Sequence, residues 1–288
     1  MVGQWHGRRH AWTTAGAAAA LGAVLLSATG CTENGTAVAS DKSSKSPGAV
    51  VREAANVLVR YGTSRTRTSM TMASGGTRIA VDGEGRFDYR KRIGQLTVRL
   101  PEGASGAQPG ERRPVKEIVV PEALYMKNRG AGVPAEKWVR VDTTSLADGN
   151  LVSGGVTDPV SAAELLRGAR HVTYEGAGTV RGERVRHYRG RVDLDAAARV
   201  AAPRWRDQLA AAAKGFSRAT VPFDAYIDGQ GRLRKIRHRF TFVDDGAPSE
   251  AGGAVAVSST TWLYGFGVPV TIAMPEAGDI YAGKIAPF

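Results

Sequence analysis

The chain has 288 residues, of which 42% are hydrophobic and 23% charged, and this balance excludes a wholly disordered protein. Its 36 glycines and 13 prolines follow no three-residue period, which excludes a collagen-like chain and indicates a globular protein with many turns. Lysine and arginine number 39 against 27 aspartate and glutamate, so the formal net charge is +12. The single cysteine, Cys31, excludes an intrachain disulfide and a zinc site built on several thiolates.

The N-terminal segment has the order of features found in an export signal. Arg8 and Arg9 precede an apolar run over residues 15–26, and small residues follow before Cys31. An apolar run of this length, at about 1.5 Å per residue, is too short to cross the hydrocarbon core of a bilayer. We therefore predict a signal peptide over residues 1–30, and the choice between the general and the twin-arginine export route stays open.

Cys31 directly follows Ala28-Thr29-Gly30, a sequence that resembles the lipobox of bacterial lipoproteins. The resemblance implies that Cys31 is lipidated and becomes the new N-terminus, although Ala28 stands where leucine is usual. The alternative is a secreted protein with an incidental cysteine. Residues 31–46 are small and polar, so we predict a lipidated cysteine with a flexible tether that spans on the order of 20 Å and holds a domain over 47–288 near the outer leaflet of the cell membrane.

Helix signals recur at three places in this domain. A capping Ser46, a proline at the first helical position and a terminal Gly62 predict a helix over 47–62. The pair Asp158-Pro159 predicts a short helix that ends at Gly168, and residues 195–214 predict a helical stretch that breaks near Pro203. These are the predicted helices of the domain.

The remaining pattern alternates with a period of two and predicts ten or eleven antiparallel strands. They fall around residues 69–100, over 116–120, 123–128 and 138–142, in hairpins over 172–194 and 219–243, and over 255–265 and 269–274. Gly-rich sequences at 82–85 and 228–231 are interpreted as hairpin turns, 101–114 as a mobile flap and 145–157 as a second loop. We predict an α+β fold in which the helices gather on one face of a single antiparallel sheet.

Signatures of catalysis are absent from the sequence. Neither the nucleophile spacing Gly-x-Ser-x-Gly nor the pattern Ser-x-x-Lys occurs. His187 and His238 are interpreted as exposed polar residues on strands, and the acidic pairs as helix caps or turns. Paired carboxylates that meet only in space stay open as an alternative. The sequence therefore predicts a protein that is not an enzyme and that carries no metal and no cofactor.

Basic residues are concentrated on two predicted hairpins, at Arg181, Arg184, Arg186, Arg189, Arg191, Arg232, Arg234, Lys235, Arg237 and Arg239. Two interpretations stay open: an ordinary solvated face, or attraction to an anionic membrane surface, where each cation contributes about 1 kcal/mol. Binding of single-stranded nucleic acid calls for aromatic side chains between the charges, and along these strands Tyr188 alone offers one. We therefore predict no nucleic-acid partner.

The order of these features resembles the LolA/LolB-like lipoprotein carriers, specifically the actinobacterial LppX/LprA/LprF/LprG group. The resemblance covers roughly residues 47–275. It rests on the lipobox and tether, the N-terminal helix, the mid-chain helix with Leu165-Leu166, the hairpin over 223–233 and the ending over 264–272. It implies a strongly curved antiparallel half-barrel whose concave face, roofed by helices, holds the acyl chains of lipids, glycolipids or lipoproteins, with no catalytic residues.

Alternate positions along the first strands, which face one side of the sheet, carry apolar side chains. We predict that these side chains line a lipid-binding cavity: Met70, Met72, Ile79, Val81, Phe87, Leu96, Val98, Leu124 and Met126. The alternative is that these side chains pack against the first helix as an ordinary core. The leading hypothesis is a carrier of acylated lipid or glycolipid. The second is a noncatalytic envelope sensor, or a module that docks on a membrane transporter or sensor kinase. An exported hydrolase is third.

Overall fold

The computed structural model describes residues 45–74, 77–100, 114–129, 132–143, 158–215, 219–243 and 254–282. The described helices are α1 (Pro47–Arg52), α2 (Ala54–Tyr61), α3 (Pro159–Leu165), α4 (Leu194–Val200) and α5 (Pro203–Gly215). The strands are β1 (Thr63–Ser74), β2 (Thr77–Asp88), β3 (Ile93–Arg99), β4 (Val115–Val120), β5 (Ala123–Lys127), β6 (Trp138–Asp142), β7 (Ala169–Val180), β8 (Glu183–Asp193), β9 (Thr220–Asp228), β10 (Leu233–Val243) and β11 (Ala254–Tyr264). Cys31, the signal peptide, most of the tether and the loops 101–113 and 144–157 lie outside the described residues.

All eleven strands form one antiparallel sheet in the order β6-β5-β4-β3-β2-β1-β11-β10-β9-β8-β7. Two meanders, one from each half of the chain, meet where β1 pairs with β11, with Arg65 opposite Tyr264 and Ala73 opposite Ala256. The α+β fold with a single antiparallel sheet, predicted from the sequence, is confirmed. The sheet ends at β6 and β7, so β1 and β11 lie at its centre.

Short helices begin where the sequence supplies a side-chain cap. Asp158 caps α3 by accepting hydrogen bonds from the backbone N–H groups of Val160 and Ser161, and Asp193 caps α4 through the N–H of Ala196. The predicted first helix is interrupted at Glu53, so that α1 and α2 are separate segments, and it ends at Gly62 with a φ of 86°. Pro203 begins α5, which confirms the predicted break.

The helices pack against one face of the sheet, which we call the covered face. Buried apolar side chains of the helices, such as Leu58, Leu165 and Leu209, join those of the strands, such as Leu96 and Phe223, in one continuous cluster. This cluster is the hydrophobic core. The opposite side of the sheet is the outer face.

Glycines mark a sharp bend of the sheet between β2 and β3. A Cβ atom on Gly85 would lie 2.0 Å from the carbonyl oxygen of Gln95, and one on Gly94 would lie 2.1 Å from the Phe87 ring. The backbone of β3 therefore approaches β2 from the side to which a Gly85 side chain would point. The helices pack along much of the covered face: α1 contacts β7, α4 contacts β8, α3 contacts β10 and β11, and residues of α3 and α5 line a pocket together with Val119 of β4. The sheet is curved around its helices.

Two local predictions are wrong. Residues 82–85 do not form a turn but lie within β2, where the glycines serve the close approach of β3. Residues 269–274 form no strand, because β11 is already paired on both sides and the chain that follows it meets no free strand edge there. The described tail reaches an edge only at Ile280, which bridges to Trp138 of β6.

Candidate functional site

The covered face carries all nine side chains predicted to line a lipid cavity. Seven are buried, with exposed fractions of 8% or less: Met70, Val81, Phe87, Leu96, Val98, Leu124 and Met126. Met72 and Ile79, near the far ends of β1 and β2, are half-buried and pack against the same cluster. The structure therefore brings the predicted residues together on one apolar surface, in contact with the core.

A pocket of about 150 Å³ enters this surface at the junction of sheet and helices. Its apolar walls are Phe87 and Val119 from the sheet, Val160 from α3 and Trp205 from α5. Of the nine predicted residues, only Phe87 contributes to this pocket. The sequence did not single out Trp205 or Val160, because the contacts join segments that are far apart in the chain.

Half of the residues that line the pocket are polar or charged: Arg92, Glu122, Thr143, Asp158, Asp207 and Gln208. The Asp158 carboxylate accepts hydrogen bonds from the backbone N–H of Val160 at 2.8 Å and from Ser161 Oγ at 2.6 Å. Burial raises the pKa of Asp158, although these hydrogen bonds oppose the rise. Trp205 Nε1 is buried and has no hydrogen-bond partner within the described part of the chain. The pocket lining therefore includes a buried carboxyl group and an indole donor that has no partner among the described residues.

Hydroxyl groups also lie on the covered face, close to Asp158. Tyr89 Oη and Ser64 Oγ share a hydrogen bond. Burial raises the pKa of Tyr89 above its ordinary value, the hydrogen bond with Ser64 opposes the rise, and the nearby Asp158 carboxylate adds to it. The interior beside the pocket is therefore not wholly apolar.

The prediction that His238 is an exposed residue on a strand is wrong. It lies on the covered face of β10 with an exposed fraction of 3%, and burial lowers its pKa to about 3. Its basic neighbours in the sequence, Arg237 and Arg239, point to the opposite face because side chains alternate along a strand. His187 lies half-buried on the outer face, where its Nε2 atom is 2.9 Å from Asp224 Oδ1.

Asp224 is the centre of an ion-pair network on the outer face. Besides His187, its carboxylate contacts Arg189 at 3.2 Å and Arg239 at 2.5 Å. Burial alone would raise the pKa of Asp224, but the hydrogen bonds from His187, Arg239 and Arg189 outweigh this effect and hold the pKa below its usual range. Two arginines and one histidine on the outer face are therefore already partnered by one acid.

Cations and aromatic rings also alternate across the outer face. Lys235 pairs in register with Tyr226 and with Trp262, and Trp262 pairs with Arg67. The Lys235 Nζ atom lies 4.8 Å from the Tyr226 ring centroid and 5.7 Å from that of Trp262. This row joins different strands, so the pattern along any one strand did not indicate it.

Only some of the basic side chains on the two predicted hairpins are exposed on the protein surface. Arg234 is buried and lies between Glu183, at 2.5 Å, and Asp228, at 3.4 Å. Arg232 also pairs with Asp228, at 2.7 Å. These two arginines stabilise the turn between β9 and β10, whereas Arg189, Arg191 and Arg237 are exposed. Within the part of the chain that the structure describes, no helix is long and apolar enough to cross a membrane.

The chain matches no family model, and a search of curated proteins finds no relative. Its structure is similar to several solved structures, among them a mycobacterial lipoprotein. The Mycobacterium tuberculosis lipoprotein LppX is 12% identical with a TM-score of 0.43, over 79% of this chain and 98% of that one. LprF from Mycobacterium bovis is 12% identical with a TM-score of 0.40, over 80% and 96% of the two chains. A LolA superfamily protein from Nitrosomonas europaea is 9% identical with a TM-score of 0.32, over 76% and 94%. The structural neighbours thus include the LolA-like group and the lipoproteins that the sequence resembles.

Proposed function

We propose that this protein is a membrane-anchored, noncatalytic lipoprotein that binds and carries a lipid, glycolipid or other acylated cargo between its sheet and its helices. The observation that carries the proposal is the pocket whose lining is half apolar, with Phe87, Val160 and Trp205, and half polar, because it opens where the helical layer meets the apolar covered face and suits a cargo with an apolar chain and a polar group. An acyl chain gains about 0.8 kcal/mol for each CH₂ group buried against such a surface. Cys31, lipidated after removal of residues 1–30, holds the domain at the outer leaflet through the tether 31–46.

The size of the pocket determines how cargo enters. Ligand pockets commonly measure about 300–1,000 Å³, and the volume here is about 150 Å³. The pocket therefore admits the end of an acyl chain, and a longer chain requires α3 and α5 to move away from the sheet. Helix α3 has seven residues, too short to be stable without its packing against the sheet, whereas α5 has 13. The short length of α3 supports an adjustment of this helix to cargo.

Substitution in the pocket tests the proposal. In Val160→Phe, the larger ring fills the pocket, so uptake of a pyrene-labelled fatty acyl lipid should fall at least fivefold. Val200→Phe, which makes the same change at an exposed position on α4, should take up the lipid as the wild type does. Mass analysis of lipids extracted from the wild type, purified from its own host, should show a bound acyl lipid. A wild type that yields no lipid and takes up none would contradict the carrier function.

A second candidate is a docking module for the envelope, and the row of cations and aromatic rings on the outer face favours it. Lys235 and Arg67 lie in this row beside Tyr226 and Trp262, and Glu84 on β2 is 3.3 Å from Arg67 at the end of the row; a curved sheet presents these side chains on its convex side. Such a surface suits anionic lipid headgroups, where cations are attracted and aromatic rings lie at the interface. The two functions use opposite faces of one sheet, so a carrier that approaches a membrane can combine them.

A further inference from the structure

Three side chains on the covered face each carry a buried polar atom that has no hydrogen-bond partner among the described residues. Thr66 and Thr68 of β1 are fully buried, and His238 of β10 is 3% exposed. Thr66 Oγ1, Thr68 Oγ1 and His238 Nε2 make no hydrogen bond within the residues that the structure describes. Most buried polar atoms in proteins are paired, so each of these three atoms calls for an explanation.

The strand register joins these side chains into one patch. Thr68 is opposite Thr261 of β11, and Ser259 of β11 is opposite His238. Residues opposite each other, and residues two apart on one strand, lie on the same face of a sheet. Thr66, Thr68, Ser259, Thr261 and His238 therefore form a contiguous group, which we call the polar patch. It crosses the three central strands β1, β11 and β10.

Four of the five residues of the polar patch lie inside the apolar core, and Ser259 is half-buried. Met70, Val257 and Leu263, on the same face of the same strands, belong to the buried apolar cluster. Helix α3 contacts β10 and β11. Asp158, which caps α3, is close enough to Tyr89 to raise the pKa of its hydroxyl, and Tyr89 bonds to Ser64, next to Thr66 on the covered face. The patch therefore lies under α3, on the side of the sheet where the pocket enters.

Packing alone does not account for these residue types. Valine has nearly the shape of threonine and β-branched residues suit strands, so valine at 66 and 68 would fill the same space without an unpaired hydroxyl. A buried hydroxyl without a partner destabilises a fold. A group that supplies the missing hydrogen bonds removes this penalty, and cargo bound on the covered face is placed to do so.

The chemistry of the patch selects the kind of cargo. Threonine hydroxyls both donate and accept, and buried His238 is uncharged at neutral pH because its pKa is lowered to about 3. The five residues of the patch include no cation at neutral pH, and a carboxylate or phosphate transferred there would lose its hydration without gaining a counter-charge. The patch therefore suits neutral oxygen atoms, those of an ester or a hydroxyl group.

We propose, on the basis of the carrier function, that the polar patch is a subsite for an ester or hydroxyl group within the apolar part of the cargo, with Thr66 and Thr68 as its principal ligands. The protein then distinguishes acylated or hydroxylated lipids from plain hydrocarbon chains. Specificity arises inside the core, at the centre of the sheet, and not at the entrance of the pocket.

The test compares two fluorescent probes of equal length, a pyrene-labelled alkane and a pyrene-labelled chain with one internal ester. The full chain carries Cys31→Ser in every arm, so that no attached acyl group competes. The wild-type binding site should bind the ester probe about five- to tenfold more tightly than the alkane probe, which corresponds to the net free energy of one or two hydrogen bonds. In Thr66→Val/Thr68→Val the preference should disappear, binding of the alkane should stay within twofold, and Tm should rise by about 2–4 °C. Thr71→Val/Thr97→Val, with side chains on the outer face, is the matched control and should keep the preference.

The outcomes separate the two proposals. Equal affinity for both probes in the wild type, or an unchanged preference in Thr66→Val/Thr68→Val, overturns the polar subsite and leaves the carrier function intact. If Thr66→Val/Thr68→Val has a lower Tm and an unchanged preference, the hydroxyl groups are already hydrogen-bonded to a buried water molecule, and this result also overturns the subsite. If neither probe binds the wild type, the carrier function fails and the subsite with it.

Discussion

Gly85 lies in the middle of β2, where glycine is normally unfavourable. The backbone of β3 occupies the position that a side chain would need, since a Cβ atom on Gly85 would lie 2.0 Å from Gln95 O. The rigid backbone of a paired strand cannot move aside as a flexible side chain can. The identity of this one residue therefore permits the bend of the sheet.

Gly85→Ala should destabilise the protein by about 1–3 kcal/mol, the usual effect of an extra methyl group in a filled space. Gly178→Ala is the control, because a Cβ atom there would meet nothing within 4 Å. It should leave stability unchanged or raise it by about 0.4–1 kcal/mol. Urea unfolding monitored by circular dichroism measures both, and equal midpoints for the two variants would contradict the proposed role of Gly85.

His238 should make stability depend on pH. Its pKa is about 6.5 in the unfolded chain and about 3 in the folded protein, so the unfolded state binds more protons between these values. The contribution of His238 to the free energy of unfolding is therefore fully present above pH 6.5. It is lost as the pH falls toward 3, at up to about 1.4 kcal/mol per pH unit. His238→Gln should lack this component, whereas His171→Gln, at an exposed residue, should keep it. Parallel curves of unfolding free energy against pH for wild type and His238→Gln would refute this assignment.

At the scale of elements, the sequence predicted most helices and strands because their signals are local. Caps, prolines and two-residue alternation are read within a few positions, and the structure places α3, the break before α5 and the hairpins where these signals predict. The failures at 82–85 and 269–274 have a nonlocal cause, since each depends on which strands lie beside the segment. The same limit explains His238: a basic sequence around it suggested exposure, and only the register shows that it lies on the covered face.

Asp193 tests the role of capping for an element that begins directly at the end of a strand. Its Oδ1 atom accepts a hydrogen bond from the Ala196 N–H at 2.8 Å and so begins α4. Asp193→Ala should lower the free energy of unfolding by about 1 kcal/mol, and Asp193→Asn, which keeps a capping oxygen, should restore most of it. Chemical denaturation of the three proteins measures the difference, and a similar loss in both variants would show that the charge, and not the cap, matters.

For the whole molecule, the parity of the first strands predicted which side chains share the covered face, but not where a pocket opens. The apolar set from Met70 to Met126 follows from alternation alone, whereas Val160 and Trp205 join Phe87 only after α3 and α5 fold over the sheet. The outer row from Tyr226 to Arg67 likewise exists only across strands. The sequence pattern therefore could not predict surfaces that depend on which strands pair and in which register.

The outer face should direct the domain to anionic membranes. Arg67→Gln/Lys235→Gln should weaken binding of the full chain carrying Cys31→Ser to vesicles with anionic lipid by about tenfold or more at low salt, since each cation near such a surface contributes about 1 kcal/mol. Arg199→Gln/Lys214→Gln removes the same charge from exposed positions on α4 and α5 and is the control. Co-sedimentation at rising salt should show binding that declines as the Debye length shortens. Salt-independent binding, or equal loss in both variants, would count against a docking role for this face.

The position of β11 has a consequence for how the protein reaches its folded state. Before β11 is in place, each of the two meanders ends in a strand that is paired on one edge only, β1 in one and β10 in the other. Neither half can complete its hydrogen bonding until the last long strand inserts between them, and the pairing of Arg65 with Tyr264 closes a very long loop. Contacts between residues so far apart in the sequence make folding slow, and the central strand pairing cannot form until nearly all of the chain is present. The folding of the whole sheet therefore waits for the arrival of a single C-terminal strand.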